Sequence, residues 1–533
     1  MIMYKIFASF LLLTLLHNRN IAQAPSYDPN LDVQSYRFEL ALGDQDDSLH
    51  GKAAIRLAVR EAADSFHLAL QEAVKGKGMT VSSFVVNGSP LSFRHANGRI
   101  GFATGAKAGD TLNLVIEYAG IPADGLIIGK NKFGHRSFFG DNWPDRAHQW
   151  LPCNDHPADK ATVSFRVTAP AAYKVIANGR KILELSDGKG MAVTEWEESA
   201  RIPAKVMVMG LANFSIDSLG TIDGIPVSAW TYPQDRDKGK EDMSQAVEIL
   251  PFFIKTIGPY PFEKLANVQS TTIFGGMENA GCIFYDENAV KGGRSMENLL
   301  AHEIAHQWFG NGITEKSWAD FWLSEGFATY FADLYVESRH GVDSARRLLA
   351  QQRESVIGFY RKQPKKAVID SLETNKMALL NANSYQKGAW VLHMLRQRMG
   401  DDHFNKLIKT YYAGYGGGNA GTEDFRRAAE ETCACSLKDF FDQWLYRPGH
   451  PQMEIRWKSS KKEVSITVIQ QQDGPFKFPL RLRLKNGSRF TTVDIEQTGA
   501  ASNTIVRPRF RVKELVVDPN TALLGEWKII PVK

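Results

Sequence analysis

From Tyr27 to about residue 228, apolar and polar side chains alternate with a period of two. Tyr36, Phe38, Leu40 and Leu42 form one such run, and Leu112, Leu114, Ile116 and Tyr118 form another. Successive side chains of a strand face opposite ways, so the alternation predicts half-buried strands. Asn87-Gly88 and Asp187-Gly188 mark turns between runs, and residues 25–228 are expected to form a β-sandwich-like domain. The period then lengthens. Leu300, Ile304 and Trp308 fall at i, i+4 and i+8, which predicts a helix with Ser295 as its N-cap. Further helices are expected around 321–336, 385–399 and 404–412, making 229–449 a mostly helical domain. Pro448-Gly449 and Pro451 close that region. Alternation returns with Val464, Ile466 and Val468, and Leu480, Leu482 and Leu484 run into Asn486-Gly487. That dipeptide is a hairpin signal, so 450–533 are expected to form a small β-domain.

Composition narrows the class without naming a chemistry. Apolar residues make up 43% of the 533 and charged residues 23%, an ordinary globular mix that excludes a disordered or fibrous chain. The formal charge of +5 is too mild over this length to suggest nucleic-acid binding. Four cysteines cannot scaffold a chain of this size. Cys433 and Cys435 stand one residue apart, which leaves free thiols or a labile bridge both open. Lys458, Lys461 and Lys462 are expected to decorate an exposed hairpin.

The first 24 residues read as a secretory signal peptide. Lys5 precedes an almost unbroken apolar run over residues 6–16, and Ala22-Gln23-Ala24 offers small residues for cleavage. Pro25 disfavours a cut directly after Ala24, so a cut after Ala22 is also open. About eleven apolar residues are too few to cross the ~30 Å hydrocarbon core. The chain is therefore expected to be secreted or periplasmic, with no stable membrane anchor after cleavage.

The chemistry begins at His302-Glu303-Ile304-Ala305-His306. A spacing of four puts both imidazoles on one helix face, one turn apart, where they can chelate one ion while Glu303 reaches a water on it. Two histidines on a solvated face would give the same pattern. Catalytic zinc keeps three protein ligands, so a third is needed. Trp322-Leu323-Ser324-Glu325-Gly326-Phe327-Ala328 supplies a carboxylate in an apolar stretch, costly to bury unless paired or metal-bound.

At this point the sequence resembles the gluzincin aminopeptidases, the aminopeptidase N and leukotriene hydrolase family. In that family the third zinc ligand follows the second histidine after eighteen intervening residues, and residues 307–324 provide that spacing. Gly275-Gly276-Met277-Glu278-Asn279 resembles the family's exopeptidase motif, whose glutamate binds the free α-amino group while the glycine-rich strand holds the peptide backbone. Tyr385-Gln386-Lys387-Gly388 is similar to the stretch whose tyrosine serves the oxyanion. Leu151-Pro152-Cys153-Asn154-Asp155-His156-Pro157 looks like a structural signature of the first domain, with His156 not a ligand.

The resemblance implies a thermolysin-like α+β catalytic domain and one Zn2+ held by His302, His306 and Glu325. It further implies Glu303 as general base, Tyr385 at the oxyanion, and peptides with a free N-terminus as substrates. An epoxide hydrolase side activity at the same zinc, or a non-catalytic peptide-binding module, are the alternatives. No counterpart of the family's large C-terminal helical domain is expected. One departure stands out. Where many members carry an acidic or amide side chain before the Pro-Cys pair, this chain has Trp143. Asp141 and Trp143, two apart, are expected to share a strand face toward the cleft, Asp141 supplying charge for the amine and Trp143 walling the first side chain. Oligomeric state is left open.

Overall fold

A computed structural model describes residues 26–460 and 462–532. The expected signal peptide lies outside the described residues, as does Lys461. An eight-stranded sheet dominates the N-terminal region. Its strand Leu31–Leu42 pairs antiparallel with Leu49–Val59 and parallel with Lys160–Pro170. Tyr36, Phe38, Leu40 and Leu42 all point into the core, as their alternation requires. Phe84 of this sheet meets Phe102 of a three-stranded sheet with ring centroids 5.1 Å apart, so the two sheets share one apolar interior. His156 stacks on Tyr27 at 4.3 Å.

The expected boundary at 228/229 is corrected. Strand Ile225–Thr231 begins with the same alternation as those before it, Ile225, Val227 and Ala229, yet it pairs antiparallel with Ser215–Ile222 and parallel with Leu265–Ser270. They open the five-stranded sheet of the catalytic region, which ends at its edge with the short strand Gly276–Met277. Helices α1 (Glu297–Ala305), α2 (Trp322–His340), α3 (Val342–Lys362) and α4 (Gly388–Met399) follow. Ser295 does not cap α1. Met296 holds that position, and the Ser295 N–H donates instead to Asp242 Oδ1 at 2.8 Å. Helix α3 was not expected from the sequence. It buries only Ala345, Leu349, Arg353, Val356 and Ile357, a stripe too thin to stand out.

The C-terminal strands begin at Gln452, and the hairpin turns at Gly487 with φ +60°, a left-handed value that favours glycine. Cys433 and Cys435 are joined as a disulfide. Among the described residues no helix is long and apolar enough to cross a membrane.

Buried charges join the regions. Lys205 Nζ lies 2.5 Å from Glu315 Oε1, both residues only 2% exposed. Lys160 Nζ donates to the carbonyls of Asn311 at 2.9 Å and of Gly312 and Gly418 at 3.1 Å. Removing one member of a buried pair leaves the other charged and unpaired. Glu315→Ala is therefore expected to lower unfolding free energy by about 3–5 kcal/mol in denaturant titration, with Lys205→Met/Glu315→Leu recovering much of the loss.

Candidate active site

Helix α1 places His302 and Glu303 in its last turn, and His306 follows at its C-cap. Glu325 enters from the first turn of α2. The three coordinating atoms converge. His302 Nε2 and His306 Nε2 lie 3.1 Å apart, and each lies 3.2 Å from Glu325 Oε2. His306 Nδ1 donates to the Phe309 carbonyl at 3.0 Å, which turns its Nε2 toward His302 and Glu325. Glu325 Oε2 is buried, facing both imidazoles. A tetrahedral ion with bonds of about 2.0 Å separates its ligand atoms by roughly 3.3 Å. The spacing and the two-nitrogen, one-oxygen donor set therefore fit a zinc-like cation, and this is the one His/Cys/Asp/Glu group of that kind among the described residues.

The surrounding charge agrees. Burial alone would raise the Glu325 carboxyl, but the charge and hydrogen bonds of His306 and His302 outweigh it and hold it well below the ordinary carboxylate range. Burial would lower His306, but Glu325, Glu278 and Glu303 raise it to about 10. The opposite shifts mark His306 and Glu325 as a tightly paired donor set.

Glu303 packs against the edge strand so closely that a Cβ on Gly276 would lie 2.3 Å from its Oε1. Burial pushes its carboxyl well above the usual range; His306 opposes this, while Glu278 and Glu325 add to it. Tyr385 sits on a π-helical turn, Asn383–Lys387, that leads into α4. Its ring stacks on His302 with centroids 6.0 Å apart. Burial, then the charges of Glu325, Glu278 and Glu303, hold its hydroxyl protonated. One contact sets how far this tyrosine stands from the His302–His306–Glu325 cluster: a Cβ on Gly326 would lie 2.8 Å from the Gly388 Cα. Only glycine on both helices permits that approach.

These groups line a cleft of about 510 Å³, together with Gly275, Gly276, Met277 and Glu278. Glu278 Oε1 is buried with no hydrogen-bond partner among the described residues. Its backbone carbonyl accepts from Gln307 Nε2 at 3.0 Å and Asn311 Nδ2 at 2.6 Å. Neither Gln307 nor Asn311 stood out in the sequence, though Gln307 directly follows the second histidine. Models of the Peptidase M1 N-terminal domain and the Peptidase family M1 domain match residues 30–205 and 241–444. The chain belongs to peptidase family M1.

Relatives within the family include the leucyl aminopeptidase of Saccharolobus solfataricus, 27% identical over 85% of this chain and 61% of that protein. The probable aminopeptidase 2 of Sulfurisphaera tokodaii is 28% identical over 78% of this chain and 55% of its own length. Aminopeptidase M1 of Arabidopsis thaliana is 28% identical over 62% of this chain and 39% of its own length. This M1 chain thus spans less than two thirds of each of these curated relatives.

Two expected substrate contacts of the M1 chain are corrected. Asn279 is fully buried and does not line the cleft. Asp141 is also fully buried and outside the lining. It follows the strand Arg136–Gly140, so the shared strand face expected for residues 141 and 143 does not exist. Its Oδ1 pairs with Arg146 Nη2 at 3.0 Å, and its Oδ2 accepts from the Ile273 N–H at 3.1 Å. Trp143 does line the cleft.

A cation that binds the folded cluster stabilises it by mass action, about 2.7 kcal/mol at a hundredfold excess over Kd. Adding Zn2+ to chelator-stripped protein is expected to raise Tm, and Glu325→Gln to shrink that rise to near zero. Scanning calorimetry on the two proteins checks this.

Proposed function

We propose that the chain is a zinc-dependent aminopeptidase that removes the first residue from peptides with a free N-terminus. The observation that carries the reading is the unpartnered, buried Glu278 oxygen in the same cleft as the His302–His306–Glu325 cluster. A carboxylate left bare in a closed site calls for a cationic partner. A substrate α-ammonium supplies one, and positions the first peptide bond at the cluster.

His302, His306 and Glu325 would hold Zn2+, which when bound supplies Lewis acidity to the scissile carbonyl and to the attacking water. Glu303 takes the proton from that water and returns it to the leaving amine, a role suited to a carboxyl raised by burial. The Tyr385 hydroxyl donates to the oxygen on which negative charge develops. The edge strand Gly276–Met277 offers its backbone to the peptide, and the missing side chain at Gly276 leaves room for Glu303 beside it. Glu303 and Tyr385 together support catalysis over a merely peptide-binding role. The apolar run at 6–16 and the small residues before Pro25 support export, so we place the mature chain outside the cytoplasm. Recovery of the chain from the cytoplasmic fraction with its first residues intact would overturn that placement.

Paired reporter peptides test the mechanism. The free-amine form is expected to turn over, and its N-acetylated twin to be cleaved at least about 100-fold more slowly, because the amide nitrogen cannot satisfy Glu278. Comparable rates, or internal cuts, would reject an exopeptidase. Glu303→Gln is expected to retain zinc by metal analysis while kcat falls by about 100-fold or more. Tyr385→Phe should lower kcat with little change in KM.

A further inference from the structure

Charge is divided unevenly along the chain. Residues 450–533 carry fifteen lysines and arginines against eight acids, a net +7, whereas residues 1–449 carry 49 against 51, a net −2. The small C-terminal β-domain thus supplies the whole of the positive excess, and the proposed reaction makes no use of it.

That charge gathers at one end of the domain. Strands Gln452–Ser459 and Phe478–Asn486 both start beside the catalytic region. There the Lys477 carbonyl accepts from Gln443 Nε2 at 2.8 Å, and Glu526, the partner of Gln452, meets Arg361 at 2.8 Å. Eight or nine residues of strand put their far ends about 25 Å away. Three segments meet at that far end. Arg507 Nε, just past strand Ala501–Val506, lies 3.5 Å from Glu463 Oε2 in the turn at 460–463. Asn486 Nδ2, in the turn at 486–489, donates to the Arg511 carbonyl at 2.8 Å. The Lys513 N–H donates to the Lys485 carbonyl, also at 2.8 Å. Residues 507–513 therefore strap together two hairpin turns, one from each sheet of the domain.

Lys462, Arg489, Arg509, Arg511 and Lys513 are exposed on these segments, and none makes an ion pair among the described residues. The acids beside them, Glu463 and Glu514, already face Arg507 and Lys485. Unpaired like charges on one surface repel, and an anionic partner removes that repulsion. Apolar side chains stand among the cations. Phe490, next to Arg489, is 58% exposed, with the Arg483 guanidinium 5.1 Å from its ring centroid. Ile505, two residues before Arg507, is 61% exposed. Turn tips make a convex end, whereas a nucleic-acid strand is tracked by a groove. Cations around exposed apolar groups suit a lipid surface, where headgroups take the charge and the acyl boundary takes the apolar side chains.

We propose that this end of the C-terminal β-domain docks reversibly on an anionic lipid surface, through the cations of 486–489 and 507–513 with Phe490 entering the interface. Each cation at such a surface tightens binding about fivefold, and salt screens the effect.

Cosedimentation of the full chain with vesicles tests this without any reading of turnover. At low salt the chain is expected to bind vesicles of equal parts phosphatidylcholine and phosphatidylglycerol at least about 100-fold more tightly than phosphatidylcholine alone. Most of that preference should vanish at about 0.5 M salt. Arg509→Glu/Arg511→Glu/Lys513→Glu should weaken binding to the mixed vesicles at least about 100-fold while Tm stays parental. Phe490→Ser should weaken it about 5- to 10-fold at unchanged charge. Equal binding to both vesicles, or parental binding by the triple variant or by Phe490→Ser, would overturn the proposal. Retention on single-stranded DNA with no binding to either vesicle would overturn it as well. If the triple variant does not fold, the salt dependence and Phe490→Ser decide. None of these outcomes bears on the aminopeptidase reading, which the paired reporter peptides test separately.

Discussion

Two imidazole nitrogens and a carboxylate oxygen lie within 3.2 Å of one another in a buried site, an approach that needs a positive charge, a proton or a metal ion, shared among them. The catalytic region is arranged to keep them there. The Phe309 carbonyl fixes the His306 ring, and the Gly326–Gly388 contact brings α2 against α4, so that Glu325 and Tyr385 meet at one point. Gln307 reaches from just beyond the second histidine to the Glu278 carbonyl. His302, His306, Glu325, Tyr385 and Glu278 therefore share one rigid frame.

That frame is closed by a second region. Lys205 and Lys160 cross from the N-terminal region to residues 311–315 and to Gly418, one ending on a carboxylate and the other on three carbonyls. Burying an ammonium is tolerable only when its donors are taken up so fully. The result is a cleft with one wall from each region, set by contacts too specific to slide.

Much of the centre was legible in the sequence. The His302–His306 spacing follows from helical geometry alone, and Glu325 is conspicuous as a lone carboxylate in an apolar stretch. Glu278 and Tyr385 were legible only through family resemblance, since a glycine-rich turn and a core tyrosine look alike without it. Asp141 was misread because its partner, Arg146, lies on the same irregular loop, and no periodicity describes a loop. The boundary at 228 failed for another reason. Period-two alternation reports that a strand is half buried, but not which sheet it joins, and Ile225–Thr231 joins the later one. Ser295 lost its cap to Asp242, more than fifty residues earlier, a tertiary choice outside any local window.

The origin of the Trp143 wall has a consequence for how such a protein changes over generations. The His302–His306–Glu325 cluster, Glu303 and Tyr385 sit after residue 296, whereas this wall comes from a loop before residue 150. Substitutions in the loop can reshape the cleft without touching that cluster. Wall and cluster are written in separate parts of one chain, so a lineage can alter the first while the second stays fixed.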